Sequence, residues 1–139
     1  MAGCTPGAPS AGSGTTGTAA TTIDVSLTSS TVTATAYGSA GGFSPSITTV
    51  ALGSSVRFVN VDSFPHTATS IGATSFPAAS PFGSSALDVS GNTLSGGWTS
   101  GSLGPGTASQ ILLADKSGTY LFGCFFHYGA PMRGAIVVP

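Results

Sequence analysis

Apolar and polar residues alternate with a period of two from Ile23 onward. Between residues 23 and 28 every second side chain is aliphatic, and between 32 and 36 small apolar residues alternate with threonine. This alternation is typical of strands that bury one face. Further apolar segments occur at 47–52, 56–61, 111–113, 120–122 and 135–138. Glycine and proline turns separate them, and no window shows a helical repeat over several turns, so the pattern predicts an all-β sandwich or barrel.

Two segments depart from this pattern. Residues 1–20 are rich in Gly, Ala, Ser, Thr and Pro and have no large apolar side chain after Met1. Such a segment cannot bury enough surface to offset its ordering entropy, which predicts a flexible N-terminal tether before a folded domain at 21–139. Residues 71–97 are rich in Ser, Gly and Pro. Since bare loops of that length are uncommon, we predict a strand within it, around Ala86 to Val89.

The composition limits the classes of partner. The chain has 139 residues, 40% of them hydrophobic, which is enough for one buried core. Only three residues are Lys or Arg, so the chain cannot form the basic stripe that a nucleic acid requires. No apolar run is long enough to cross a bilayer. Only four residues are acidic, and acid unfolding acts mainly through carboxylates, so we expect tolerance of low pH.

The soft metal ligands of the chain are concentrated near its end. Cys124, His127 and Met132 lie in one short segment, and His66 lies far upstream. One thiolate, two imidazoles and one thioether are the ligand set of a mononuclear blue-copper electron-transfer site. When all four positions are filled by the protein, no open position is left for a substrate, which predicts a carrier and not an enzyme.

The predicted strands could bring these ligands together. Tyr120, Phe122 and Cys124 share one face of a strand, because side chains alternate. If that face is the core, the sulfur of Cys124 points inward at the strand's end. A loop then brings His127 and Met132 around, and His66 must close the site after the strand at 56–61.

The chain resembles the cupredoxin family over roughly Ile23 to Pro139, with loop spacing like that of plastocyanin and its amicyanin-like bacterial relatives. The matching segments, in chain order, are 43–47 (FSPSI), 56–62 (VRFVNVD), 64–66 (FPH), 101–106 (GSLGPG), 118–120 (GTY) and 124–134, where Cys124, His127 and Met132-Arg133-Gly134 occupy the motif positions. The four-residue gap from His127 to Met132 is plastocyanin-like.

The resemblance implies a Greek-key β-sandwich of about seven to eight strands that holds one copper ion, cycling between Cu(I) and Cu(II). It implies His66, Cys124 and His127 as the strong ligands and Met132 as the long axial one. It also implies that His127 is the electron port, within an apolar patch where redox proteins dock transiently. Candidates for the rest of that docking patch are Phe64, Pro65, Gly129, Ala130 and Pro131.

Two positions around the ligands depart from the family pattern. Thr67 follows the first histidine where relatives often have Asn, and it has fewer hydrogen-bonding groups to brace the loop. Phe125 and Phe126 stand between the cysteine and the second histidine, where plastocyanins usually have a proline. Bulky apolar groups near the sulfur should dry the site and favour Cu(I).

The N-terminus suggests a location. Ala2-Gly3-Cys4 resembles the end of a bacterial lipobox, which would make Cys4 a lipidation site. We therefore expect a monomer on the periplasmic or extracellular face of a bacterial membrane, attached to it through Cys4. The alternative is that Cys4 is a free cysteine in a tail.

Other interpretations of the cysteines and histidines stay open. A disulfide between Cys4 and Cys124 would remove a ligand that the motif requires. A nucleophile–base pair of Cys124 and His127 would lack a carboxylate nearby in sequence and would leave Met132 without a role. A periplasmic copper-delivery protein would need exposed, exchangeable ligands. A multicopper enzyme would need more than the two histidines that the chain has.

Overall fold

Residues 20–139, the part of the chain that a computed structural model describes, form ten strands and one 3-10 helix. The strands are β1 (Thr21–Val25), β2 (Thr33–Thr35), β3 (Gly38–Ala40), β4 (Phe43–Ser44), β5 (Ile47–Thr49), β6 (Ser55–Asn60), β7 (Thr69–Ile71), β8 (Leu112–Leu113), β9 (Gly118–Gly123) and β10 (Arg133–Val138). Eight of them form two four-stranded sheets, in the orders β4-β1-β6-β8 and β5-β10-β9-β7, and β2 pairs with β3. The predicted β-sandwich is thus confirmed.

The main core lies between the two sheets. Ile23 and Val25 of β1 are fully buried, as the alternation predicts, and they belong to the same cluster as the fully buried Phe58 of β6 and Phe122 of β9. The Phe122 ring packs edge-on against Phe43 at 4.7 Å and against Phe58 at 5.0 Å between ring centroids. Each of these large side chains contributes about 1.5–3 kcal/mol by its burial.

The β10 strand and the second half of β9, which ends at Gly123, are buried on both faces. Phe122 faces the main core, whereas Leu121 belongs to a second cluster that includes Phe76, Tyr128 and Ala135. A central strand covered on both sides shows no polar alternation. This explains the nearly continuous apolar sequence around the two strands that flank the cysteine and the methionine.

The strand predicted around Ala86 to Val89 is wrong, because the segment forms a 3-10 helix, Ser84–Leu87. Ala86 is the one buried residue of that helix, and Val89 is 65% exposed. The segment therefore has no continuous apolar face that a sheet could bury. The strand-like contact nearby is a single bridge between Ser90 and Thr99.

Strand ends position the segments that carry the predicted ligands. The β6 strand leads into the loop with His66, β9 ends directly before Cys124, and β10 begins directly after Met132. His66 is fixed by backbone hydrogen bonds in both directions with Leu103, at 3.2 and 2.7 Å. Within residues 20–139 no helix is long and apolar enough to span a membrane. The predicted tether at 1–20, except Ala20, and Cys4 lie outside the described residues.

Candidate metal centre

Cys124 lies at the end of β9 with its side chain in the main core. It is fully buried and shares the core cluster with Phe122, as the shared strand face predicts. Its backbone N–H donates to the carbonyl of Met132 at 3.1 Å, and the backbone N–H of Thr67 donates to its sulfur at 3.4 Å. The sulfur is therefore held by the His66 segment as well as by its own strand.

The structure brings three of the four predicted ligands to one point. The Sγ atom of Cys124 is 3.8 Å from Nδ1 of His66 and 3.6 Å from Nδ1 of His127. The two Nδ1 atoms are 3.2 Å apart. All three donor atoms lie within 4.8 Å of one another, so they could bind a single metal ion.

Met132, the fourth predicted ligand, is fully buried in the same core cluster as Cys124. Its backbone N–H donates to the carbonyl of His127 at 3.2 Å. Its side chain packs tightly against Gly42: a Cβ atom placed on Gly42 would lie 2.3 Å from Cγ and 3.2 Å from Sδ of Met132. The glycine therefore leaves the room that the thioether occupies.

Asp62 orients the ring of His66. Its Oδ2 atom lies 2.7 Å from Nε2 of His66, so the ring's other nitrogen, Nδ1, faces Cys124. The same carboxylate accepts hydrogen bonds from Ser26 Oγ at 2.9 Å, Leu27 N at 2.7 Å and Thr28 Oγ1 at 2.5 Å. Burial raises the pKa of Asp62, but these hydrogen bonds outweigh it and hold the pKa well below its ordinary range.

Thr67 joins the two segments that carry ligands, although the sequence predicts a poor brace at this position. Its hydroxyl accepts a hydrogen bond from the backbone N–H of Phe125 at 2.9 Å and lies 3.0 Å from the hydroxyl of Thr69. Thr69 contacts the hydroxyl of Thr99 in turn, at 2.9 Å. A short chain of hydroxyls thus braces the His66 segment against the Cys124 segment.

The donor set and its environment fit copper. Burial raises the pKa of the Cys124 thiol, and backbone N–H groups of Thr67, Phe126 and His127 act in the opposite direction. Burial, followed by the proximity of His66, lowers the pKa of His127, which favours the neutral ring that a metal needs. A soft sulfur and two imidazoles are ligands suited to copper.

Most of the predicted docking patch lies at the surface. His127 is partly exposed, and its ring is 5.6 Å from that of Phe64 between centroids. The exposed residues of the patch are Pro65, Gly129 and Ala130, whereas Phe64 and Pro131 are half-buried.

Sequence reasoning missed Asp62 and expected Phe126 beside the sulfur and not at the surface. Phe126 is 42% exposed, and its ring is 6.1 Å from that of His127, so it belongs with the docking patch. Asp62 touches His66 through a contact four residues apart in sequence. Carboxylates are rare in this chain, which could have drawn attention to Asp62. Its hydrogen-bond donors at residues 26–28 are too distant in sequence for these contacts to be predicted.

Comparisons with known proteins agree with this geometry. Residues 30–139 match the model of the copper binding proteins of the plastocyanin/azurin family. No curated protein sequence matches the chain significantly.

Many solved structures share the fold, among them the following three. A purple cupredoxin from Nitrosopumilus maritimus has a TM-score of 0.55 at 21% identity, covering 86% of this chain and 99% of that one. A copper-containing nitrite reductase from Thermus scotoductus SA-01 has a TM-score of 0.53 at 22% identity, covering 87% of this chain but 22% of that one. A mutant of amicyanin in its reduced state has a TM-score of 0.50 at 19% identity, covering 86% and 82%.

Proposed function

Since the chain belongs to the plastocyanin/azurin family of copper-binding proteins, we propose that it carries single electrons between redox partners outside the cytoplasm. The observation that carries this proposal is the convergence of a buried thiol and two imidazoles within 4.8 Å of one another. Copper bound there supplies a one-electron Cu(II)/Cu(I) couple. In this proposal His66, Cys124 and His127 are the strong ligands, and Met132 is the weak axial ligand.

The surroundings of the ligands favour a rigid site. Backbone hydrogen bonds hold Cys124 to Met132 and Met132 to His127, and Thr67 ties the His66 segment to both the sulfur and Phe125. A preset geometry lowers the rearrangement that a change of oxidation state requires. Because the protein fills every coordination position, no position is left for a substrate, and we propose that the protein is not an enzyme.

Electrons would enter and leave through His127. Among the four ligands it is the one that is partly exposed, since His66, Cys124 and Met132 are buried. Phe64, Phe126 and the exposed loop at 129–130 surround it with apolar surface. Small apolar contacts suffice for the transient docking that a carrier needs, so we propose a monomer with short-lived partners.

The proposed location is the periplasmic or extracellular face of a bacterial membrane, because proteins of this family are usually found outside the cytoplasm. Lipidated Cys4 would attach the domain there. The mass of Cys4-containing peptides from protein isolated from bacterial membranes would show whether that residue carries lipid.

Copper delivery, the alternative function, requires ligands that exchange readily. The burial of three of the four ligands argues against it. A delivery protein would lose its copper quickly to a soluble chelator, whereas a carrier would keep it and show a reversible one-electron wave.

The two cysteines provide a test of the proposed function. Copper-loaded protein should show an intense thiolate-to-copper absorption in the visible range. Cys124→Ser should abolish this absorption, whereas Cys4→Ser, the matched control, should keep it. His127→Gly should slow electron self-exchange. A colourless Cu(II) protein, or equal loss of absorption in both cysteine variants, would contradict the proposal.

A further inference from the structure

Asp62 is a buried carboxylate separated from the proposed copper site by one imidazole ring, that of His66. Its side chain is 2% exposed and that of His66 is 0% exposed, and Oδ2 contacts Nε2 at 2.7 Å. Ser26 and Thr28 contact its Oδ1 atom, and the backbone N–H of Leu27 contacts Oδ2. All partners other than His66 come from one segment that follows β1.

The negative charge of Asp62 has no cationic partner of its own. Within residues 20–139, where the chain's Arg57, Lys116 and Arg133 all lie, no Lys or Arg forms an ion pair with it. Its hydrogen-bond partners, apart from the imidazole, are neutral hydroxyls and one backbone N–H. The charge therefore acts mainly on the His66 ring and on whatever that ring binds.

From this geometry we infer that Asp62 is a positioning residue that selects the metal-binding tautomer of His66 and stabilises Cu(II) relative to Cu(I). This inference rests on the proposed function for its second part, because that part concerns bound copper. Its first part concerns the metal-free chain alone.

The tautomer follows from the hydrogen-bond chemistry. An ionised carboxylate only accepts, so His66 must donate from Nε2. The neutral ring then carries no proton on Nδ1, whose lone pair faces Cys124 and His127. Carboxylate partners of this kind fix the orientation of ligating imidazoles and raise their basicity.

The effect on copper follows from charge. A buried anion interacts more favourably with Cu(II) than with Cu(I), because the attraction grows with the charge of the ion and is screened little in a dry site.

Asp62→Asn separates charge from hydrogen bonding. The amide oxygen can replace Oδ2 as acceptor for His66 and Leu27, and the hydroxyls of Ser26 and Thr28 can accept from the amide nitrogen. Asp62→Leu removes both the charge and the acceptor. Asp24→Asn, on the exposed face of β1, removes one charge where solvent screens it and serves as the control.

The redox experiment measures the midpoint potential of each copper-loaded variant. We expect the ratio of Cu(II) to Cu(I) affinity to fall about tenfold in Asp62→Asn, which for one electron raises the potential by about 59 mV. Asp24→Asn should change it little. In Asp62→Leu the Cu(II) affinity should fall by roughly 10- to 100-fold.

The tautomer experiment uses metal-free wild-type protein and requires no variant to fold. Nitrogen-15 NMR of the histidine rings should place the His66 proton on Nε2. A proton on Nδ1 would overturn the first part of the inference, and a potential of Asp62→Asn no higher than that of Asp24→Asn would overturn the second. A wild-type protein without the thiolate-to-copper absorption would instead refute the proposed function, and the NMR result would still decide the tautomer.

Discussion

Thr67 and Gly42 both shape the metal centre without offering it a ligand atom. Thr67 contributes a backbone N–H to the sulfur of Cys124 and a hydroxyl to the backbone of Phe125. Gly42 contributes the absence of a side chain beside Met132. Neither role can be deduced from a local motif. Thr67 acts on a segment at least 57 residues away in sequence, and Gly42 acts on Met132, near the far end of the chain.

Gly42→Ala should destabilise the protein by displacing Met132. The added Cβ would lie 2.3 Å from Cγ and 3.1 Å from Cβ of Met132, so the thioether side chain would have to move. Overpacking of this kind costs about 1–3 kcal/mol. The free energy of unfolding of metal-free protein in denaturant measures this cost.

Gly53→Ala is the matched control for Gly42→Ala. Both glycines have positive φ angles, 74° at Gly42 and 88° at Gly53, but nothing lies within 4 Å of a Cβ atom at Gly53. The control therefore carries the backbone strain of a left-handed residue without the clash. Equal losses of unfolding free energy in the two variants would show that the Met132 side chain can accommodate the added methyl group.

Among the elements, the β9–β10 pair dominates the site, because its connecting loop carries Cys124, His127 and Met132. The two strands pair from Arg133 and Gly123 to Val138 and Gly118. Cys124 N and Met132 O then close the loop at 3.1 Å. The loop is thus an extension of the buried end of this ladder.

Strand existence could be predicted from the sequence more reliably than the contacts between strands. Alternation identified β1, and an apolar segment identified β6. The alternation at 32–36 also predicted a strand with one buried face, but β2 forms there without a buried residue. Alternation could not place the 3-10 helix at Ser84–Leu87, where a single alanine is buried. The ligand spacing around Cys124 identified the candidate site, but the contact of Asp62 with residues 26–28 depends on how β1 pairs with β6, a register that local sequence does not encode.

Gly134→Ala should disrupt the β9–β10 pair. Gly134 lies opposite Phe122, and a Cβ atom there would be 2.6 Å from the Phe122 ring and 2.7 Å from the carbonyl oxygen of Ser46. Phe122 cannot yield easily because Phe43 and Phe58 enclose it. We expect a loss of about 1–3 kcal/mol or more in the free energy of unfolding.

Gly104→Ala is the control for Gly134→Ala, since nothing lies within 4 Å of a Cβ atom at that position. It should leave stability within about 0.5 kcal/mol of wild type. A Gly134→Ala variant as stable as Gly104→Ala would mean that the pair tolerates an added methyl group and is not tightly packed.

The molecule as a whole carries few groups that titrate in acid. The chain has four Asp and no Glu, and its two histidines lie at the metal centre. Acid unfolding proceeds mainly through protonation of carboxylates that are stabilised in the folded state and through the charging of buried neutral histidines. Because the metal would hold both histidines, the copper-loaded protein should keep most of its stability down to about pH 4. The remaining loss should come from the two carboxylates whose pKa is lowered in the folded state, Asp62 and Asp115.

Ser95→Ala tests how Asp115 contributes to the pH dependence of stability. The hydroxyl of Ser95 donates to Oδ2 of Asp115, and the backbone N–H of Ser95 donates to Oδ1 at 3.1 Å. These bonds hold the pKa of Asp115 below its ordinary value. A lowered folded-state pKa gives stability that is present above the unfolded pKa of about 3.9 and is lost as the pH falls through the folded value. Ser95→Ala should therefore be less stable than wild type at pH 7, and the difference in unfolding free energy should narrow below about pH 4, as denaturant unfolding at each pH would show.

Ser102→Ala is the control, because the exposed Ser102 hydroxyl makes no hydrogen bond with the described residues. Its difference in unfolding free energy from wild type should not vary with pH. A difference for Ser95→Ala that stays constant or grows in acid would mean that the Ser95 hydroxyl does not stabilise the ionised carboxylate.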